Sequence, residues 1–530
     1  MEPHEEERFS ARLIGANLAA ILVLGVVLRV VGVAQESAWY DEVLSLKALA
    51  ADSFVGFWRV LRGADPAVTL VPAYFTLEYF WSRVAGDSVL AVRILSLLFG
   101  IFALPLIYVL GRRLYNPLAG CVAALCLAMS LVHIFYAQEI RMYAMVSVLS
   151  LLSVLTLLRA LDACERRWWF VHVGVNALLL SSHLYAALQI AAEGCFLLFF
   201  YWRRRRVWLA WGIGHVLVFF AVAMWVRFLS LRGMTERAFW TPLPSVREAA
   251  NLVVVLAGGR FSNENPRAYL TTGVSLDQAL ALLMLLLAVW LALRTFRAAH
   301  GKKDDRDAAR RACALGLLGF WFLLPPLALF LLSYLHHPCF MYRYVLYSSL
   351  ALYLLVGGAV GSVRRPLLRA GVTLMLVSAY AYQSLALPLP FRPDYRAAVG
   401  LVREYGSPLD CVIAFKEINA LPIEYLNAAP TKQVKRIHGF RELCKEVIAA
   451  HDRDRNVWVI MWRWDDTESF EARLRENRIT FVLSRLGGMP PLLVYYVLAT
   501  PSDEPIVIRE ARRPKNPALQ RCSAARYNTL

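Results

Sequence analysis

Eleven apolar stretches, each about as long as a bilayer is thick, constrain this chain more than any other feature. A helix needs about 20 apolar residues to cross the hydrocarbon core. Such runs lie near 13–33, 89–110, 117–135, 142–160, 168–185, 186–202, 207–229, 275–297, 312–335, 344–362 and 367–388. With 58% hydrophobic residues, 18% charged residues and a mean hydropathy of +0.49, the pattern predicts an α-helical polytopic membrane protein with about eleven transmembrane helices. One more apolar stretch, AVTLVPAYFTLEYFWSRVAG (67–86), reads as an interfacial or re-entrant helix. Counted as a crossing, it would move every later basic loop to the wrong side.

The formal net charge is +18, and its distribution decides what it means. Arg112 and Arg113, Arg166 and Arg167, Arg203 to Arg206, the segment RTFRAAHGKKDDRDAARR (294–311), and Arg364 with Arg365 each end an apolar run. That is the positive-inside pattern of cytoplasmic loops, so no nucleic-acid partner is expected. The N-terminal MEPHEEERFSARL is acidic where a signal peptide is basic, and 13–33 reads as a retained signal anchor. The nine cysteines contain no CxxC pair. Cys411 and Cys444 fall in polar sequence of the C-terminal region, where they are candidates for a bridge.

Past Pro388, Pro390 and Pro393 the pattern becomes that of a soluble domain, placed outside by the odd number of crossings. Residues 390–510 read as a small C-terminal α/β domain, with strands at CVIAF, NVWVIMW, ITFVLS and LLVYYVLA. Helices are expected at DYRAAVGLVREY, FRELCKEVIAAH and DTESFEARLREN. Asp465 with Glu468 has the spacing of a capping box. Residues 511–530 read as a disordered tail.

Under this topology the unusual polar residues share the outer face. Asp41 and Glu42, in ESAWYDEVLSL, open an amphipathic helix. Adjacent helical residues point about 100° apart, so one carboxylate can face a cavity while the other caps the helix start. A solvated acidic turn is the plain alternative. In AQEIRMYAM, helical spacing places Gln138 near Arg141 and Glu139 near Tyr143, and an Arg fork suits phosphate. Snorkelling of Arg141 to headgroups is the competing reading. His183 and Tyr185 in SHLYAAL, and Arg343 and Tyr344 in YRYVLY, occupy the same rim, where such residues also serve as interface anchors. Asp65 before Pro66 also opens an ordinary turn, and the adjacent His336 and His337 make a poor metal motif. A transporter or flippase would show ionisable residues near mid-span or inverted repeats, and neither is clear here.

These motifs, in this order, resemble the bacterial membrane glycosyltransferases of the C-type (GT-C) fold. The likeness is to family 39 and its relatives: protein O-mannosyltransferases, the aminoarabinose transferase acting on lipid A, and rhizobial lipopolysaccharide galacturonosyl transferases. SAWYDEVLSL is similar to the family's S-x-W-x-D-E pattern. DPAVTLVPAYF resembles a segment that commonly begins His-Pro-Pro-Leu-Tyr, and SLVHIFYAQEIRMYAM resembles Ser-Pro-x-x-x-x-Tyr-(Ser/Ala)-Gln-Glu-x-Arg-x-Tyr. SHLYAAL, YRYVLYSSLALYLL and DYRAAVGLVRE extend the likeness over most of the chain.

The resemblance implies an inverting glycosyltransferase of the inner (plasma) membrane, using a polyprenyl-phosphate sugar donor. The acceptor would be a glycolipid, polysaccharide or protein on the periplasmic or extracellular side. It implies Asp41 as the base for the acceptor, with Glu42 as its partner and Glu139 as the second-loop acid. Gln138, Arg141, Tyr143, His183, Tyr185, Arg343 and Tyr344 would be donor- or phosphate-binding, with Arg343 meeting the lipid phosphate. The resemblance also implies a divalent metal near the DPAV loop in some relatives. Here Asp65 stands where histidine is common and Ala67 replaces the second proline, so Asp65 is a candidate ligand without a full set.

Overall fold

The computed structural model describes residues 3–163, 165–230, 243–259, 276–301, 306–386, 392–407, 409–426, 434–453, 455–462, 465, 467–486 and 492–498. The chain divides into two compact units. One comprises Met1–Gln35 with Leu44–Leu387, and the other Glu36–Val43 with Pro388–Leu530.

Among the described residues the first unit contains helices and no strand. It contains α1 (Pro3–Val30), then α2 (Tyr40–Leu49), which begins among residues of the second unit, and α3 (Phe54–Ala64). There follow α4 (Pro72–Ala85), α5 (Val89–Leu114), α6 (Pro117–Met129), α7 (Leu131–Ala137), α8 (Tyr143–Ala163) and α9 (Arg166–Ser182). The last are α10 (Ala187–Tyr201), α11 (Arg205–Ser230), α12 (Val246–Leu256), α13 (Leu276–Gly301), α14 (Arg306–Leu335), α15 (Ser348–Gly361) and α16 (Pro366–Ala386). Local chemistry sets several starts. Ser53, Ser88 and Asn116 each accept a hydrogen bond from the backbone N–H three residues on, and Ser245 with Glu248 closes a capping box.

Among the described residues seven helices are long and apolar enough to cross a membrane, or eight if the bent pair α6–α7 is one span. All eleven stretches expected from the sequence are helical at their centres. The three outside that count are α9, α15 and α16. At 14 residues α15 is short, and α9 and α16 carry polar residues such as Asn176 and Gln383, both buried. The stretch 67–86 forms a 3-10 turn (Pro66–Leu70) and the 14-residue α4. At 1.5 Å per residue α4 is about 21 Å long, too short to cross.

α6 packs closely against both α5 and α15, because small residues let the backbones approach. A Cβ on Gly120 would lie 2.5 Å from the Tyr108 carbonyl oxygen, and one on Gly357 would strike the Ala119 carbonyl oxygen. Every residue of α15 from Ser348 to Val360 is buried.

The second unit is an α/β domain. Strands β1 (Cys411–Phe415), β2 (Val434–Ile437), β3 (Val457–Trp462), β4 (Phe481–Leu486) and β5 (Leu492–Val497) form one sheet in the order β2-β1-β3-β5-β4. β1 pairs in parallel with β2 and β3, and β5 pairs antiparallel with β3 and β4. Its helices are α17 (Tyr395–Tyr405), α18 (Glu417–Tyr425), α19 (Phe440–His451) and α20 (Thr467–Glu476). β3 and β5 are buried on both faces, which explains their continuous apolar runs. β2 and α18 were not expected from the sequence. β2 is a four-residue VKRI with two exposed basic side chains, and α18 carries an internal Pro422.

The expected capping box at Asp465 does not form. Its carboxylate instead takes the Lys416 ammonium at 2.5 Å and the Trp462 N–H at 3.0 Å, and burial lifts the carboxyl above the usual carboxylate range. Cys411 and Cys444 are not joined to each other, and both are thiols. The tail expected at 511–530 lies outside the described residues.

Overpacking a tight helix contact costs about 1–3 kcal/mol. Gly357→Leu should therefore lower the unfolding temperature in detergent by that equivalent. Gly319→Leu, whose new Cβ would meet nothing within 4 Å, should leave it unchanged. Equal melting curves for both would remove the α6–α15 contact as a stability determinant.

Candidate functional site

The acidic pair of the first loop is built into the second unit. Trp39 is buried in its core with Tyr395, Trp458 and Trp462. Glu36 accepts the Arg392 N–H at 3.0 Å, and Ser37 Oγ donates to Asp394 and accepts the Arg396 N–H. Within this frame the two carboxylates differ. Glu42 is fully buried, lies 3.9 Å from the Arg392 guanidinium, and accepts the Trp39 N–H at 3.4 Å. It occupies the third position of α2 and reaches back to the residue before the helix, as the glutamate of a capping box does. Asp41 is half-buried at the helix start. Glu42 thus takes the capping role, and Asp41 is the more exposed member of the pair.

The first unit gathers the other candidates. After α7 the chain leaves helical geometry for Gln138–Met142 and resumes at Tyr143. Glu139 is completely buried in this turn, and Arg141 nearly so. Glu139 and Arg343 both act electrostatically on the hydroxyls of Tyr136 and Tyr342, which lie 3.4 Å apart. A run of aromatic rings continues from there. Tyr136 meets Tyr143 at 4.5 Å between centroids, Tyr143 meets His183 at 5.9 Å, His183 meets Tyr344 at 5.6 Å, and Tyr344 stacks on Tyr185 at 4.9 Å. The Tyr185 carbonyl accepts the Tyr347 hydroxyl at 2.8 Å, and the Arg343 guanidinium lies over Tyr344. Glu139, Tyr143, His183, Tyr185, Arg343 and Tyr344, from three separate connections, therefore share one cluster. Arg141 packs on the Phe75 ring, and its carbonyl accepts Ser96 Oγ.

The guanidinium, phenols and histidine of this cluster are groups that can bind a phosphate ester and steady the charge that grows on it. Two cluster residues, Tyr136 and Tyr342, were not singled out in the sequence, and neither was Glu78. This fully buried glutamate of α4 acts, with Glu139 and Arg141, on the Tyr74 hydroxyl. Its presence inside the apolar run LEYFW was the available signal.

Gln138 bonds to the backbone of the first helix. Its side-chain amide donates to the carbonyls of Arg29 and Val31, each at 2.9 Å, and so ties the end of α1 to the acid-bearing turn. Asp65 accepts the Ala67 N–H at 3.0 Å and caps the turn that follows. Among the described residues no group of three or more His, Cys, Asp or Glu side chains is arranged to hold a metal ion. The residues around Asp65 therefore do not fit one.

Comparison with known proteins adds the following. The model of the dolichyl-phosphate-mannose-protein mannosyltransferase family matches residues 67–228, the part that carries Glu139, Arg141, Tyr143, His183 and Tyr185. No curated protein sequence matches significantly. Among solved structures, the archaeal oligosaccharyltransferase AglB from Archaeoglobus fulgidus, in complex with an inhibitory peptide and a dolichol-phosphate, aligns with TM-score 0.50 and 11% identity. The alignment covers 94% of this chain and 75% of that one, a likeness of fold. ArnT from Cupriavidus metallidurans aligns in its apo state with TM-score 0.41 and 12% identity, over 92% of this chain and 98% of that one. Its undecaprenyl phosphate-bound form aligns with TM-score 0.42 and 12% identity, over 90% and 97%.

If Gln138 is a tie, Gln138→Leu should cost about 1–3 kcal/mol, the sum of two ordinary hydrogen bonds, read as a lower unfolding temperature in detergent. Ligand affinity of the folded fraction should stay at the wild-type level. Unchanged melting with lost affinity would instead place Gln138 against a ligand.

Proposed function

We propose that this chain, a multi-pass membrane protein with the GT-C fold of membrane glycosyltransferases, is an inverting transferase. It moves a sugar from a polyprenyl-phosphate donor to a glycolipid, polysaccharide or protein at the outer face of the inner membrane. The observation that carries the reading is the buried cluster of Glu139, Arg343, Tyr136, Tyr143, Tyr342 and His183. The AglB structure holds a dolichol-phosphate, and the matching family is named for dolichyl-phosphate-mannose; both support a lipid-phosphate donor. The basic clusters at the ends of the apolar runs support an outer location for the acid-bearing loops.

In this mechanism the acceptor oxygen attacks the anomeric carbon from the face opposite the phosphate. The bond from that carbon to the phosphate oxygen breaks, and the configuration inverts. The polyprenyl phosphate is already a good leaving group, so the main needs are a base for the acceptor and cations for the departing phosphate. Asp41, the accessible member of the acidic pair, takes the acceptor proton, and Glu42 fixes its helix. Arg343, with Arg141, stabilises the negative charge that accumulates on the phosphate. Water is not the acceptor here, which separates this chemistry from paired-carboxylate glycoside hydrolysis.

One observation favours a second reading, that of a transporter or flippase of a lipid-linked or small polar substrate. Buried ionisable residues, Glu193, His172 and His215, do lie within the helices, as proton-coupled transport would require. Labelled polyprenyl-phosphate sugar in proteoliposomes separates the two, since a transferase forms a covalent product and a transporter relocates intact substrate.

A positioned base contributes about 10²- to 10⁴-fold in rate. Asp41→Asn should lower transfer by that factor while donor binding persists, and wild-type turnover would remove Asp41 from the mechanism. Arg343→Ala should weaken donor binding about 10- to 100-fold, the equivalent of one charge-assisted hydrogen bond. An unchanged donor dissociation constant would count against the phosphate role. Mass spectrometry of envelope glycolipids and glycoproteins, with and without the gene, would identify the product.

A further inference from the structure

A polar network lies inside the helical unit, apart from the acid-bearing turn. Glu193 on α10 is 1% exposed, and around it stand Ser150, Ser153 and Thr156 of α8, His172 and Asn176 of α9, Gln189 of α10, and His215 of α11, all buried. Among the described residues, the titratable partners facing Glu193 in this network are the two histidines. Counting hydrogens fixes the charge of each group.

Ser153 Oγ lies 2.5 Å from Asn176 Oδ1 and 2.6 Å from Glu193 Oε1, yet a hydroxyl has one hydrogen. The amide oxygen cannot donate, so the serine proton goes to Asn176. The short contact to Glu193 then needs a proton on the carboxyl. Turning the amide over would set its oxygen against Glu193 Oε2 at 3.1 Å, His215 Nε2 at 2.9 Å and His172 Nε2 at 3.3 Å. That arrangement needs more protons still.

The histidines do not supply the charge. His172 Nδ1 faces the Ser153 carbonyl at 3.2 Å and His215 Nδ1 faces the Trp211 carbonyl at 2.8 Å, so each carries its hydrogen on Nδ1. The two Asn176 amide hydrogens are then shared among His215 Nε2 at 2.9 Å, Glu193 Oε2 at 3.1 Å and His172 Nε2 at 3.3 Å. An imidazolium would point a second N–H at that amide donor. The ionic arrangement suggested by the 3.6 Å separation of His172 Nε2 and Glu193 Oε2 is therefore disfavoured by the Asn176 contacts. The remaining bonds agree with a neutral acid: Gln189 Nε2 donates to Glu193 Oε1 at 3.3 Å and to the Ser150 carbonyl at 3.2 Å, and Ser150 donates to Gln189 Oε1.

We propose that Glu193 is a neutral carboxylic acid, a built binding site for one proton that joins α8, α9, α10 and α11 without placing a net charge among them. The proposal stands independently of the transferase reading. The α9–α10 connection it secures is the one that carries His183 and Tyr185.

Infrared difference spectroscopy of the full chain in nanodiscs at neutral pH tests it. Replacing the acid in Glu193→Gln should remove a carboxylic-acid carbonyl band and no carboxylate band. Loss of a carboxylate band would overturn the proposal. Gln reproduces the neutral acid's donor and acceptor, so Glu193→Gln should melt close to wild type, and Glu193→Ala well below it. Equal losses for the two would also overturn it. Ser153→Ala leaves Glu193 in place and removes its proton's acceptor, so the acid band should shift to higher frequency. An unshifted band would sink the assignment even if Glu193→Gln fails to fold.

Discussion

The guanidinium of Arg29 is the contact on which the candidate site's position in the helical unit depends. Helix α6 stops at Met129 and α7 leaves Ser130 at an angle of 65° to it, so the last carbonyls of α6 have no helical partner. Arg29 supplies one, donating to Leu127 O at 2.9 Å and Ala128 O at 3.1 Å, and a cation at a helix C-terminus is electrostatically favoured as well. Gln138 answers from the far end of α7 by holding the carbonyls of Arg29 and Val31. A Cβ on Gly100 would sit 2.5 Å from Ala137 Cβ and 3.4 Å from Arg29 Nε, so only glycine lets these groups meet. Irregular backbone at membrane depth is tolerated where protein encloses it. Here the enclosure turns a broken helix into a rigid mount for Glu139 and Arg141.

The helices were legible in the sequence because hydrocarbon thickness imposes a length, and each apolar run declares itself one stretch at a time. The two long apolar strands β3 and β5 were legible for a similar reason. What stayed hidden depends on pairs of distant residues. Nothing local in ESAWYDEVL announces that Trp39 packs beside Trp458, or that Glu36 bonds to the backbone of Arg392. The bend at Ser130 has no proline, and the carbonyls it frees are taken by an arginine about a hundred positions away. His172, Glu193 and His215 each look like a lone polar residue in an oily run, and only the helix packing brings them together. The clustering of His183 and Tyr344 with Tyr143 is likewise a property of three connections taken at once.

The acidic pair shows how a two-residue motif acquires two functions. Both carboxylates lie in the first turn of α2, where the helix dipole favours them. Burial then separates them: Glu42, with no exposed surface, bonds to the backbone before its own helix and lies near Arg392. Asp41, one position along and rotated by about 100°, remains half-buried. Exchanging the two residues would bury the shorter carboxylate, which lacks the reach to Trp39 N–H.

Arginine and glutamate meet the apolar interior by different routes, and the difference follows from their chemistry. Arginine cannot shed its proton in a protein, so Arg29 and Arg93 are found where backbone carbonyls can surround the charge, Arg93 donating to Val33 O at 2.8 Å. Glutamate has a second option, since a protonated carboxyl is both donor and acceptor and carries no charge to desolvate. Glu193 uses it among neutral hydroxyl, amide and imidazole groups. Glu139, set beside Tyr136, Tyr342 and Arg343, has a cation at hand. Two buried glutamates of one unit thus differ in their neighbours, Glu193 among neutral polar groups and Glu139 among phenols and a guanidinium.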